Sequence, residues 1–314
     1  MKKTVKKMIA ASTLLFTGMH IINQYIDTSN TPITPSKNDK TFLWKDMKIN
    51  YTEKGAANTP ALLLLHNLTP SSSKEEWHKI DDTLSQHYHI YELDLPGCGK
   101  SAKPSITYIN YIYVQLISDF INNVIKEKTN ICAAAYSSSF SFMTARMNPD
   151  IINKIIIINP TSISELVKPL TTKGKLKDKI LGLPVAGTFI YNCIMNKSEI
   201  EDTYKCLYYY NEKNVLPSDV AVSYYNAHFD RSNGKYLFGS MLANYTNINI
   251  IHALPMLKND IYLITNRKHT PLIQEYKKYN ERIHTIYVSN CRLLPQLEIP
   301  ATISEKIIQV MSDI

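Results

Sequence analysis

Three stretches of this chain are apolar without alternation. They are "ALLLLHN" (61–67), "NICAAAYS" (130–137) and "NKIIIINP" (153–160). A strand with one wet face alternates, whereas a strand buried on both faces reads as a continuous short apolar run. Helix-length segments separate these runs, among them "SKEEWHKIDDTLSQ" (73–86) and "YINYIYVQLISDFINNVIKEK" (108–128). That alternation predicts an α/β architecture, a mostly parallel sheet with helices on both faces. "TFLWKDMKINYTEKG" (41–55) reads as an antiparallel pair leading into it. The alternation stops after the strand at 153–160 and resumes at "NDIYLITN" (259–266), so a Lys-, Tyr- and Asn-rich helical insertion at 161–250 is expected.

The N-terminus has its own pattern. "MKKTVKKMIAASTLLFTGMHIINQYID" places Lys2, Lys3, Lys6 and Lys7 before an uncharged run from Met8 to Ile26. Its length falls within the roughly 17–25 residues that cross a bilayer, and no small-x-small cleavage site follows. Residues 1–26 are therefore read as a membrane anchor or signal-like segment, with the lysines cytoplasmic and the body extracytoplasmic. Residues 27–40 read as a polar linker.

Charge and cysteine content exclude other classes. The net charge is +8, and residues 1–40 supply half of it. The remainder is too dilute for a nucleic-acid surface. Five widely spaced cysteines without a C-x-x-C give neither a disulfide framework nor a metal site. "GCGKS" (97–101) lacks the first glycine of a phosphate-binding loop, that position being Asp94. No cofactor is expected.

The pieces together resemble the α/β-hydrolase fold family, over 41–160 and 251–314, with 161–250 where that family carries a helical cap. "LLLLHN" stands where the family has an apolar strand ending in His-Gly. "DLPGCGKSAKP" matches its D-x-P-G-x-G-x-S turn, and "LPQLEIP" matches the stretch after its catalytic histidine. The chain looks most like a membrane-anchored subgroup from low-GC bacteria.

The resemblance implies a nucleophile at Ser137, in Ala135-Tyr136-Ser137-Ser138-Ser139, where the family has G-x-S-x-G. It implies oxyanion donors in the backbone N–H groups of Ser138 and Leu68. Two positions depart from the pattern: Leu293 stands at the expected triad histidine, and His269 at the expected acid. A serine hydroxyl needs a base, so three readings stand. His269 could serve Ser137 as a dyad, oriented by Glu165 or another residue. Another histidine could serve, His228 in the insertion or His66 beside the oxyanion loop, although His66 has the plainer task of holding its own loop. Or the fold binds without hydrolysing. The implied functions are a serine hydrolase of small or acyl-type carboxylic esters, or a pseudo-hydrolase binding a small apolar ligand or a protein partner.

The insertion bears on the ligand. Lys168, Lys173, Lys175, Lys177 and Lys179 precede an apolar run from Ile180 to Met195 that Gly and Pro interrupt. Such a run is a poor membrane span. It suits either a lid over an acyl-type pocket, with lysines near anionic headgroups, or a solvated helix face.

Overall fold

The computed structural model describes residues 2–30 and 38–312. Its strands are β1 (Asp39–Trp44), β2 (Met47–Lys54), β3 (Ala61–Leu65), β4 (His89–Leu93), β5 (Thr129–Ala134), β6 (Ile152–Ile158), β7 (Ile261–Asn266) and β8 (His284–Val288). They form one sheet in the order β1-β2-β4-β3-β5-β6-β7-β8. β2 pairs antiparallel with both β1 and β4, and all other pairs are parallel.

The apolar runs are buried for the reason their pattern gives. Every residue of β3 and β5 is buried, because successive side chains point to opposite, helix-covered faces. Leu63, Leu65, Ile131, Ile155 and Ile157 meet Phe120 and Phe140 on one face. Leu62, Leu64, Cys132, Ile156 and Ile158 meet Trp77, Ile303 and Ile307 on the other.

The longer helices are α1 (Lys2–Ser29), α2 (Asn110–Phe120), α3 (Ser137–Met147), α4 (Thr172–Leu181), α5 (Ala186–Ile194), α6 (Lys197–Thr203), α7 (Pro217–Ser232), α8 (Gly234–Leu242), α9 (Thr270–Tyr279) and α10 (Pro300–Ser312). Helices α4 to α8 lie in the chain between β6 and β7. The helix expected over 73–86 is two short turns instead, Lys74–Trp77 and Asp81–Leu84. The charges that a solvated helix would show to water are turned inward: Lys74 bonds Asp39 and Thr52, and Lys54 pairs with Asp81. The helix expected over 108–128 gives way at Ile121 to a wider turn that ends on left-handed Lys126.

Half of the linker read at 27–40, residues 31–37, lies outside the described residues, and α1 itself runs through Ser29. α1 is long and apolar enough to cross a membrane by length and composition, and none of its apolar window is buried. Its C-terminal end meets α5 and α7. Asn23 donates to the Val185 carbonyl and accepts from Asn192, both at 3.0 Å, and Asn30 donates to the Tyr225 carbonyl at 3.2 Å.

The "GCGKS" loop closes on a carboxylate of its own chain. Asp94 accepts the backbone N–H groups of Lys74 (2.7 Å) and Lys100 (3.0 Å). Gly99 has φ +47, and a Cβ there would lie 2.3 Å from the Asp94 carboxyl group, so only glycine fits.

Candidate active site

In an open sheet of this kind, functional side chains gather at the carboxyl ends of the strands. Here those ends carry His66–Leu68 after β3, Ala135–Ser137 after β5, Asn159 after β6, His269 after β7 and Leu293 after β8.

The turn from β5 into α3 is two residues long. Its strained residue is Ala135, at φ +44, and Tyr136 already has helical φ (−65°). The left-handed region costs an L-residue roughly 1–2 kcal/mol, and the Ala135 N–H bonds the Ile158 carbonyl at 2.9 Å, which holds it there. Ser137 is two residues beyond, the first residue of α3. The placement of Ser137 on the strained turn is thereby corrected: that place belongs to Ala135. Ser137 is fully buried and donates its hydroxyl to the His66 carbonyl at 2.5 Å. Ser138 and Ser139 turn back onto the carbonyls of Ala135 (2.6 Å) and Tyr136 (2.9 Å).

Of the two expected oxyanion donors, the Ser138 amide is already engaged within the protein. The Ser138 N–H bonds the Ala135 carbonyl at 3.2 Å, as a first helical turn requires. The amide that follows the strained residue is that of Tyr136, and it donates to Asn67 Oδ1 at 3.3 Å. Asn67 is in turn fixed by its own N–H, which donates to Glu76 Oε2 at 2.9 Å. The Tyr208 hydroxyl reaches the side chains of Asn67 and Thr69. Leu68 is fully buried in the core.

His66 holds one tautomer. Its Nδ1–H donates to the Asn67 carbonyl and its Nε2 accepts the Leu95 N–H at 3.0 Å. Burial pushes its pKa down to about 4. Both ring nitrogens are engaged, so His66 organises its loop and offers Ser137 no base.

His269 bonds Thr265 Oγ1 through Nδ1 at 3.1 Å. The Thr265 hydroxyl donates to Asn159 Oδ1 at 2.8 Å, so it accepts from His269, which fixes the proton on Nδ1. Asn159 then reaches the carbonyls of Arg292 (2.6 Å) and Leu293 (3.1 Å), and Asn266 that of Cys291 (3.0 Å). Uncharged groups thus stitch together the loops after β6, β7 and β8. Glu165 does not orient His269; it is exposed and pairs with Lys168 at 2.5 Å. His228 is buried between the rings of Tyr191 and Tyr224, with Nδ1 on the Tyr224 carbonyl (2.9 Å) and, among the described residues, no partner for Nε2. The hydroxyl of Ser137 and the rings of His269 and His228 thus have separate partners.

A cavity of about 370 Å³ lies at this end of the sheet, between Asn67, Tyr208 and Leu293 on one side and Ile194, Phe238 and Met241 on the other. A neighbouring cavity of about 270 Å³ contains Glu76. Burial pushes the pKa of that carboxyl up to about 8, against the Asn67 and Ser72 hydrogen bonds that favour its charged form. Among the described residues no group of three His, Cys, Asp or Glu side chains could hold a metal ion.

Comparison with known proteins fits this geometry. The family model for the alpha/beta hydrolase fold matches residues 60–181. This chain has the α/β-hydrolase fold. A haloalkane dehalogenase of Bradyrhizobium diazoefficiens is 29% identical over 122 residues, 39% of this chain and 37% of the dehalogenase. The chain thus matches well under half the length of that curated relative. Among solved structures, Cfl2 of Burkholderia cenocepacia superposes with a TM-score of 0.72 at 12% identity, over 87% of this chain and 95% of Cfl2. A membrane phospholipase A, described as a bacterial virulence factor, superposes with a TM-score of 0.64 at 16% identity, over 99% and 98% of the two chains.

In an α/β hydrolase the nucleophile occupies the strained strand-to-helix turn, and the next amide serves the oxyanion. The α/β-hydrolase turn here carries Ala135, and its next amide already holds Asn67 Oδ1. Sequence reasoning missed both residues. Ala133, Ala135 and Ser137 satisfy a small-x-small-x-small spacing as well as Ala135, Ser137 and Ser139 do, and three serines favoured the later register. Asn67, where the α/β-hydrolase family has glycine, was the other available signal.

Proposed function

We propose that this α/β hydrolase is a non-catalytic member of its family that holds a small apolar ligand in the 370 Å³ cavity beside a membrane. The observation that carries this reading is Ala135 on the strained turn. A methyl group supplies no nucleophile. Leu293 at the histidine position and the committed hydroxyl of Ser137 support the same reading. The apolar lining from Ile194, Phe238, Met241 and Leu293 suits an acyl chain or a similar small molecule. In this reading 41–160 and 251–314 form the core, 161–250 the cap, 27–40 the linker and 1–26 the anchor, with the body outside the cytoplasmic membrane. The competing reading, ester hydrolysis through Ser137 with His269 as base and Ser138 and Leu68 as oxyanion donors, draws its support from the hydrolase names of relatives.

A broad fluorophosphonate probe separates the two on the full-length protein in detergent. No labelling is expected, in the native chain or in Ser137→Ala. The triple variant Ala135→Ser, His269→Asp, Leu293→His is expected to label. Labelling of the native chain that disappears in Ser137→Ala would sink the non-catalytic reading. For the ligand, methyl decanoate is expected to bind in calorimetry and Leu293→Trp to abolish it. Equal heats from both proteins would remove the cavity from the argument.

A further inference from the structure

α4 carries two stripes. Gly174, Asp178 and Leu181 turn toward α8 and the protein. On the opposite side Leu176 and Ile180 lie one turn apart, 58% and 38% exposed. Successive helical residues are about 100° apart, so this pair centres the outward face. Lys173 and Lys177 then flank it on one side, Lys175 and Lys179 on the other, all exposed. A soluble helix places lysines at the centre of its outer face. Here they frame an apolar stripe, the pattern of a helix lying in a lipid interface, where lysine stems follow the apolar surface and the ammonium groups reach phosphates. The exposed apolar residues continue through Leu183 to Ile190 and Ile194 of neighbouring α5.

The reach of α1 points to the same occupant. Its uncharged run begins at Met8, and its first hydrogen bonds to the body are made by Asn23, to Val185 and Asn192 of the α5 region. Fifteen residues of helix rise roughly 22 Å, whereas a bilayer's hydrocarbon layer is about 30 Å thick. A spanning α1 therefore draws the α5 side of the body into the headgroup layer. Ile194 lies both on the exposed face and in the wall of the 370 Å³ cavity.

We propose that the face formed by α4 and α5 seats on an anionic lipid surface, with the cavity opening beside it. This rests on the membrane reading of α1. The test uses the full-length chain with its exposed cysteines changed (Cys193→Ser, Cys206→Ser), in vesicles of phosphatidylcholine and phosphatidylglycerol (3:1) carrying nitroxide lipids. An environment-sensitive fluorophore is attached in turn to Ile180→Cys, to Leu15→Cys in α1, and to Asn122→Cys, which is exposed just beyond the end of α2. Quenching at 180 is expected to approach that at 15 and to exceed that at 122 several-fold. It should fall at least threefold in pure phosphatidylcholine, or when the four lysines become glutamines. Quenching at 15 with none at 180 would overturn the docking face and leave the anchor standing. Equal quenching at 180 in both lipid mixtures would overturn the anionic assignment. No quenching at 15 would overturn the anchor and, with it, the docked face.

Discussion

Asn67 Oδ1 accepts the backbone N–H of Tyr136 at 3.3 Å, so the amide that follows the strained turn is already occupied by the protein's own side chain. Replacing Asn67 by Gly empties that place and leaves a buried donor unpaired. A loss of about 1–3 kcal/mol is expected, read as a lower melting temperature, with a gain in affinity for a short carboxylate such as hexanoate. Unchanged carboxylate affinity would mean that the amide is inaccessible from the cavity.

Ser137 makes a structural prediction that differs from a catalytic one. Its hydroxyl satisfies the buried His66 carbonyl at 2.5 Å. Ser137→Ala should cost about 1 kcal/mol of stability in denaturant titration. It should leave methyl decanoate binding within twofold, because Ser137 is not among the residues lining the cavity.

The buried Glu76 makes stability depend on pH. Its folded pKa is raised from 4.5 to about 8 by burial. The folded state therefore holds this proton more tightly than the unfolded state. Its stabilising contribution is complete below pH 4.5 and is lost as pH rises toward 8. The slope should approach about 1.4 kcal/mol per pH unit within that window. Glu76→Gln keeps an acceptor for Asn67 and removes the titration. The stability difference between the two proteins should thus change steadily between pH 5 and 8 and level off above. A difference independent of pH would show that Glu76 stays ionised in the folded protein.

Much of this fold was legible because buried parallel strands write themselves as runs such as Ala61–Leu65 and Ile155–Ile158. Asp94 with its two glycines and the stretch Pro295–Pro300 gave order and spacing besides. The site was less legible. Whether Ala135 or Ser137 stands on the strained turn is a question of backbone φ, and small residues at all the flanking positions leave sequence spacing indifferent to a shift of two. The partners of His269 were unreadable for another reason: Asn159 is more than a hundred residues away and meets Thr265 only through sheet pairing. The broken helix at 74–84 was missed because periodicity cannot tell a solvated lysine from one folded inward onto an aspartate.

Gly99 offers a test of the local loop. Gly99→Ala would push a methyl group into the Asp94 carboxylate, which two amides hold in place, at a φ that disfavours alanine. A loss of more than about 2 kcal/mol is expected, and a melting curve identical to the native one would contradict this account.

The hydrogen bond of Asn30 to Tyr225 places the end of α1 close to an unusual length of chain. Asp230, Arg231 and Ser232 are three successive non-glycine residues with positive φ, and Arg231 faces a groove shared with His20, Asn23 and Asp27 of α1. At roughly 1–2 kcal/mol each, those three residues act as a loaded spring beneath the seat of the N-terminal helix.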